Sequence, residues 1–221
     1  MRIDIDEMIR DVKVAIDEIT GEEESEFTES MDIEIRQAII SALNQLLQEL
    51  PLEEMDATVY LTATTGQSDK VTGKDDGTGE IKLPEDWLRL YELVMSGWKQ
   101  PVLATTDPMS DDAKAQASSW TRGTEWKPVV IQSVNKEGKA VLRYFSAHRG
   151  AEGWEHKVEL LTYIGRPKDD GTEIETALKE SNRDSVMYRA AGIYMEARKE
   201  SGLADRFYAL SRAVSGTQTE G

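Results

Sequence analysis

The chain is 221 residues long, carries 42 acidic against 26 basic side chains for a net charge of −16, and contains no cysteine. That length fits one large domain or two small ones, and the lack of cysteine excludes a disulfide framework, a thiolate metal site and a cysteine nucleophile. The acidic balance argues against nucleic-acid binding by phosphate neutralisation, which needs clustered Lys and Arg.

No apolar run approaches the roughly 20 residues that span a bilayer. Met1-Arg2-Ile3-Asp4 has no apolar stretch resembling a signal peptide. A chain made in a reducing cytoplasm is the simplest expectation.

Ile5, Met8, Ile9, Val12, Ile16 and Ile19 recur at helical spacing, which predicts an amphipathic helix over 4–19 ended by Gly21. Residues 22–29 read as an acidic linker with little to bury. A stronger apolar stripe, Ile35, Ile39, Ala42, Leu43, Leu46, Leu47 and Leu50, predicts a second helix over 31–50 that Pro51 stops. From Ala57 the texture becomes β-branched and aromatic, and Thr58 to Thr62 reads as a strand. Residues 63–79 are rich in Gly, Thr and Asp and predict a long loop. Its residues Gly66, Asp69, Lys70, Lys74, Asp75 and Asp76, with Trp154 further on, are candidates for contacts with other proteins. With little but Val71 to bury, the loop is expected to add nothing to the core.

Leu83-Pro84-Glu85-Asp86-Trp87-Leu88-Arg89-Leu90 reads as a short helical turn that launches an extended strand. Leu88 to Val94 and Val102 to Ala104 are expected strands around a Gly97–Pro101 corner. Ser110, Asp111 and Asp112 start a short helix, with acids where the helix dipole favours them. Val129 to Ser133 and Ala140 to Phe145 flank Asn135-Lys136-Glu137-Gly138 and predict a hairpin. Val158 to Ile164 is a last strand. Thr172 to Lys179 is expected to be a short helix. Val186, Met187, Ala190, Tyr194 and Ala197 line another, capped by Gly202, and Leu203, Phe207, Leu210 and Val214 continue at helical spacing.

The expected fold is therefore α+β, with helices at both termini forming a bundle and an antiparallel β region inserted between them. The divisions are 1–56 for the N-terminal helices, 57–165 for the β region, and 166–221 for C-terminal helices packing on the N-terminal ones, with a frayed tail.

The cluster that invites catalysis is His148-Arg149-Gly150-Ala151-Glu152-Gly153-Trp154-Glu155-His156. Imidazole and carboxylate suit zinc or nickel, but the spacing is wrong for a helical His-Glu-x-x-His site and the glycines point to a polar hairpin. Asp69, Asp75, Asp76 and Gly77 suggest a calcium loop, yet Thr72 and Lys74 occupy ligand positions and Leu83 stands where the closing Glu belongs. We therefore assign no catalytic residue, metal ligand or cofactor. The five tryptophans, Trp87, Trp98, Trp120, Trp126 and Trp154, all fall in the β region. Trp87 and Trp98 are expected to pack internally, and Trp154 is the interface candidate.

The Leu83–Leu90 segment, followed by Trp98-Lys99-Gln100-Pro101-Val102, resembles a pattern of the head–tail connector proteins of tailed bacteriophages. Arg122-Gly123-Thr124-Glu125-Trp126-Lys127-Pro128-Val129-Val130 resembles the approach to a strand in ring proteins of crAss-like phages. Tyr188-Arg189-Ala190-Ala191-Gly192-Ile193-Tyr194 with Ala197 is similar to the small-residue helix that closes such proteins. The order of these pieces along the chain is the stronger signal.

The resemblance implies a virion structural protein and no enzyme: an adaptor subunit of a closed homo-oligomeric ring, twelve copies in relatives, docked on the portal protein. It also implies contacts with other connector or tail proteins, DNA passing through the lumen without specific binding, and viral assembly in the host bacterial cytoplasm. Two other readings stand beside it: a metal-dependent or carboxylate-based hydrolase built on the His148–His156 loop, and an unrelated soluble interaction module.

Overall fold

The computed structural model describes residues 1–20, 29–74, 76–146 and 156–215. Among these the chain is mixed α+β, with five α-helices and three antiparallel sheets. In order it forms β1 (Arg2–Asp4), α1 (Ile5–Thr20), α2 (Glu29–Glu49), β2 (Thr58–Thr62), β3 (Val71–Gly73), β4 (Thr78–Lys82) and β5 (Trp87–Met95). There follow α3 (Asp111–Ala115), β6 (Val129–Val134), β7 (Ala140–Phe145), β8 (Val158–Gly165), β9 (Lys168–Asp169), β10 (Glu173–Glu175), α4 (Arg183–Ala197) and α5 (Ser201–Val214). Two compact units result. One joins Met1–Asp56 to Arg166–Gly221, and the other is Ala57–Gly165.

In the first unit α4 is the central element, packed against α1, α2 and α5. The apolar stripes explain this. Ile5, Met8, Ile9, Val12 and Ile16 of α1 are buried, as are Ile35, Ile39, Ala42, Leu43, Leu46 and Leu47 of α2. Val186, Ala190, Ala191 and Tyr194 of α4 are buried among them. Small residues let α5 come close. A Cβ on Gly192 would stand 2.7 Å from the Tyr208 ring. Below it the Ser185 hydroxyl donates to the Ser211 carbonyl (3.1 Å) while the Ser211 hydroxyl donates to that of Ser185 (2.9 Å). Ion pairs add links: Arg183 with Asp11 (2.8 Å), Arg189 with Glu49 (2.8 Å), and Lys13 with Asp32.

The register of this unit differs from the sequence expectation in three places. The stretch 172–179 is not helical. Ile174 is buried between exposed Glu173 and Glu175, a period-two pattern that makes β10 the middle strand of the β1–β10–β9 sheet. Gly202 lies inside α5, and the turn between α4 and α5 is made by Lys199 at φ +66°. On α4 the inward face takes in Arg189 and Gly192, while Ala197 is exposed.

The second unit has two antiparallel sheets, β2–β8–β5 and β3–β4–β7–β6. They share one core, which includes Leu61, Leu90, Leu93, Met95, Val158 and Leu161 from the first sheet and Ile81, Val130, Leu142 and Tyr144 from the second. The hairpin β6–β7 runs from Val129 opposite Phe145 to Val134 opposite Ala140. Pro84 to Trp87 is a turn and no helix, with the Trp87 amide donating to the Pro84 carbonyl at 3.2 Å. The expected strand at 102–104 shrinks to one bridge between Val102 and Leu93.

The largest correction concerns residues 63–79. They are not one loop: β3 and the start of β4 lie within them, and Gly77, Thr78 and Gly79 are buried. Apolar counting missed this because the segment contributes backbone. A Cβ on Gly79 would fall 2.4 Å from the Thr72 carbonyl oxygen and 2.2 Å from the Tyr144 hydroxyl. Only glycine lets the strands close over that tyrosine.

Candidate functional site

The candidate contact residues of the 66–79 segment fall into two groups. Gly66 follows a tight turn in which the Thr65 hydroxyl and amide both donate to the Thr62 carbonyl. Beside it Gln67 clamps β8: its amide nitrogen donates to the Val158 carbonyl (2.7 Å) and its carbonyl accepts from the Val158 amide (2.9 Å). The Lys70 ammonium sits 4.8 Å over the Tyr60 ring. Burial, followed by the nearby Asp69 carboxylate, raises the pKa of the Tyr60 hydroxyl.

The second group holds Lys74 and Asp76. Asp76 accepts from the Thr78 hydroxyl (2.6 Å) and amide (3.1 Å) and from Arg122 (2.8 Å). The Thr78 hydroxyl bond and the Arg122 guanidinium hold its carboxyl below the usual range. The Lys74 carbonyl receives one ring nitrogen of His156 (Nε2, 2.8 Å), while Nδ1 meets the buried Tyr144 hydroxyl at 2.6 Å. The carbonyl can only accept, so Nε2 carries a hydrogen and donates to it. Burial pushes the Tyr144 hydroxyl well up, so it stays a donor. The ring lies where a Gly73 Cβ would be, 1.8 Å from its Cγ. His156 thus ties the β3–β4 hairpin to β7. Asp75 and Trp154 lie outside the described residues, as do His148, Glu152 and Glu155. Among the described residues, no group of three or more His, Asp or Glu is placed to hold a metal ion.

Several residues of the motifs quoted from the sequence have internal roles. Trp87 stacks on Tyr163 with ring centroids 5.4 Å apart, and its indole donates to Gln132 (3.2 Å). The Tyr163 hydroxyl donates to Asp86 (2.7 Å). Trp98 is buried. Arg122 braces the buried Gln116 through its carbonyl (3.0 Å), and the Gln116 side-chain oxygen accepts from the Gly123 amide (2.8 Å). Gly123 is required there, since a Cβ would meet the Phe145 carbonyl at 2.4 Å.

These bonds fix the 96–128 excursion between β5 and β6. Its short helix α3 is capped by Ser110, whose hydroxyl accepts from the Ala113 amide (3.2 Å). The excursion carries surface residues that sequence reasoning did not single out: Leu103, Met109, Trp120 and Trp126 are all exposed. Single exposed apolar residues are common on any surface, but four in one excursion, two of them tryptophans, are a concentration among the described residues. Nothing in local spacing separates Trp120 and Trp126 from the buried Trp87 and Trp98.

Elsewhere, Gln45, Glu49, Arg189, Asp205, Tyr208 and Arg212 line a polar recess in the first unit. Arg189 is already held there by Glu49 and Gln45. No described helix is long and apolar enough to cross a membrane.

Charge is divided unevenly. Residues 1–56 and 166–221 together hold 27 acidic and 13 basic side chains, against 15 and 13 in residues 57–165. The segment 1–56 alone has 17 acidic and 4 basic. No protein-family model matches this chain, and no curated protein matches it.

Proposed function

We propose that this chain is a virion structural protein, a subunit of a head–tail connector ring between portal and tail through which DNA passes. The sequence resemblance supplies the idea. The observation that supports it best is the charge division, with nearly all of the net −16 on the helix-bearing unit. In this reading the terminal helices form a bundle that makes the ring wall, a wall too acidic to hold duplex. Like-charged walls repel phosphate, and the effect reaches about 8 Å at physiological salt. The β unit reaches adjacent proteins: neighbouring copies, the portal and other connector or tail components. Twelve copies close the ring through a heterologous contact. The hydrolase reading gains no support from His156, because both of its ring nitrogens are spent inside the fold.

The test looks for a portal gene in the same genome, mixes its purified product with this chain and images the result by electron microscopy. A twelvefold ring seated on the portal is expected, together with no gel shift of duplex DNA even at low salt, where basic proteins bind best. Failure to bind the portal would refute the connector assignment. Salt-sensitive duplex binding would refute the conduit.

A further inference from the structure

Copies of a chain with net charge −16 repel one another, so a contact between them forms where that repulsion is weakest and apolar surface is greatest. One segment meets both conditions. Residues 99–128 hold four acidic and four basic side chains, a balanced stretch in a strongly acidic chain. The same stretch holds outward Trp120, Met109 and Trp126, exposed by 86%, 80% and 63%. Tryptophan is the residue most enriched at the energetic centres of interfaces. These three are presented on a braced backbone: Gln116 closes the turn onto Gly123, and Arg122 pins it to Asp76. A pre-ordered loop loses little entropy on docking.

We infer that the 99–128 excursion is the surface by which one copy of this chain binds the next, with Trp120 and Trp126 as anchors, and that the surface it meets is the 57–165 unit of the neighbour. The choice of occupant follows from charge. A second copy approaching through its 57–165 unit brings 15 acidic and 13 basic groups, whereas the other unit brings 27 and 13. The first approach therefore sets less repulsion against the apolar burial. The inference rests on the ring reading and names the contact that closes it. It also carries a salt signature: screening relieves the residual repulsion and leaves apolar burial intact, so self-association tightens as salt rises. An interface built on ion pairs would weaken instead.

The experiment is sedimentation velocity of the full chain over a range of concentrations at 50 and 500 mM NaCl. The wild type is compared with a Trp120→Ser/Trp126→Ser double variant, Met109→Asp, and a Val14→Ser/Ile33→Ser control on the exposed faces of α1 and α2. The expected result is self-association of the wild type and the control, stronger at high salt. The double variant and Met109→Asp should shift the midpoint concentration at least tenfold upward, with unchanged melting. Met109→Asp keeps both tryptophans, so it answers the question even if the double variant fails to fold. Association that ignores both variants would overturn this surface while leaving the ring reading intact. Association that weakens with salt would overturn the apolar mechanism. A wild type that stays monomeric at every concentration would overturn the self-contact, and portal mixing would then judge the connector reading separately.

Discussion

Replacing Gly79 with alanine tests whether the 66–79 segment is part of the second unit's core or a detachable surface loop. The added Cβ would lie 2.4 Å from a backbone carbonyl on β3 and 2.2 Å from the hydroxyl of Tyr144, which is fully buried. Neither neighbour can yield cheaply. The carbonyl belongs to a paired strand, and the tyrosine is held by His156. Overpacking of this kind costs about 1–3 kcal/mol, and a clash against backbone places Gly79→Ala near the upper end. For a chain of this size each kcal/mol lowers Tm by roughly 2–4 °C, so about 6–12 °C is expected. Gly66→Ala is the control, because its Cβ would meet nothing within 4 Å. It should be neutral, or stabilise by about 0.4–1 kcal/mol through a less flexible unfolded chain. The assay separates the two units. All five tryptophans lie between residues 57 and 165, so intrinsic fluorescence follows that unit. Four of the five described helices lie in the other unit, so far-UV circular dichroism follows it. The Gly79→Ala loss should appear in fluorescence. A fluorescence Tm within 2 °C of wild type would refute the packing argument and restore the segment to a dispensable loop.

Three other outcomes follow from particular contacts. Ser211→Ala removes a hydroxyl buried between α4 and α5 and the bond it donates to the Ser185 carbonyl. A loss of about 0.5–1.5 kcal/mol is expected in urea unfolding followed by circular dichroism, and an unchanged midpoint would contradict it. Lys199→Gly should raise the melting temperature of the helical signal, because Lys199 holds φ +66°, which costs a side-chain-bearing residue roughly 1 kcal/mol. Asp76 titrates below its usual value, owing first to the Thr78 hydroxyl bond and then to Arg122. The sign follows: its contribution is present above the unfolded carboxylate pKa of about 4 and disappears as pH falls through the lower folded value. Asp76→Asn should therefore lower the fluorescence Tm at pH 7, with a deficit that shrinks as pH falls below about 4; a deficit that does not change with pH would contradict this.

Much of the helical structure was legible because each helix buries one face at a fixed period. Ile35 to Leu47 form such a stripe, and Pro51 marks where it must end. The β6–β7 hairpin was legible for a similar reason, since Asn135 and Gly138 close a turn between two β-branched runs. What the sequence left undecided has a common cause: it depends on residues distant along the chain. Ile174 reads as helical until β1 and β9 are laid beside it. Gly73 and Gly79 read as loop glycines, and only the placement of His156 and Tyr144 makes their missing Cβ a packing requirement. The tryptophans are the sharpest case. Trp87 and Trp98 are buried while Trp120 and Trp126 point outward, a difference set by which strands close over which side chains and written in no local pattern. Periodicity records how a segment buries its own face, and tertiary packing alone decides which faces find a partner.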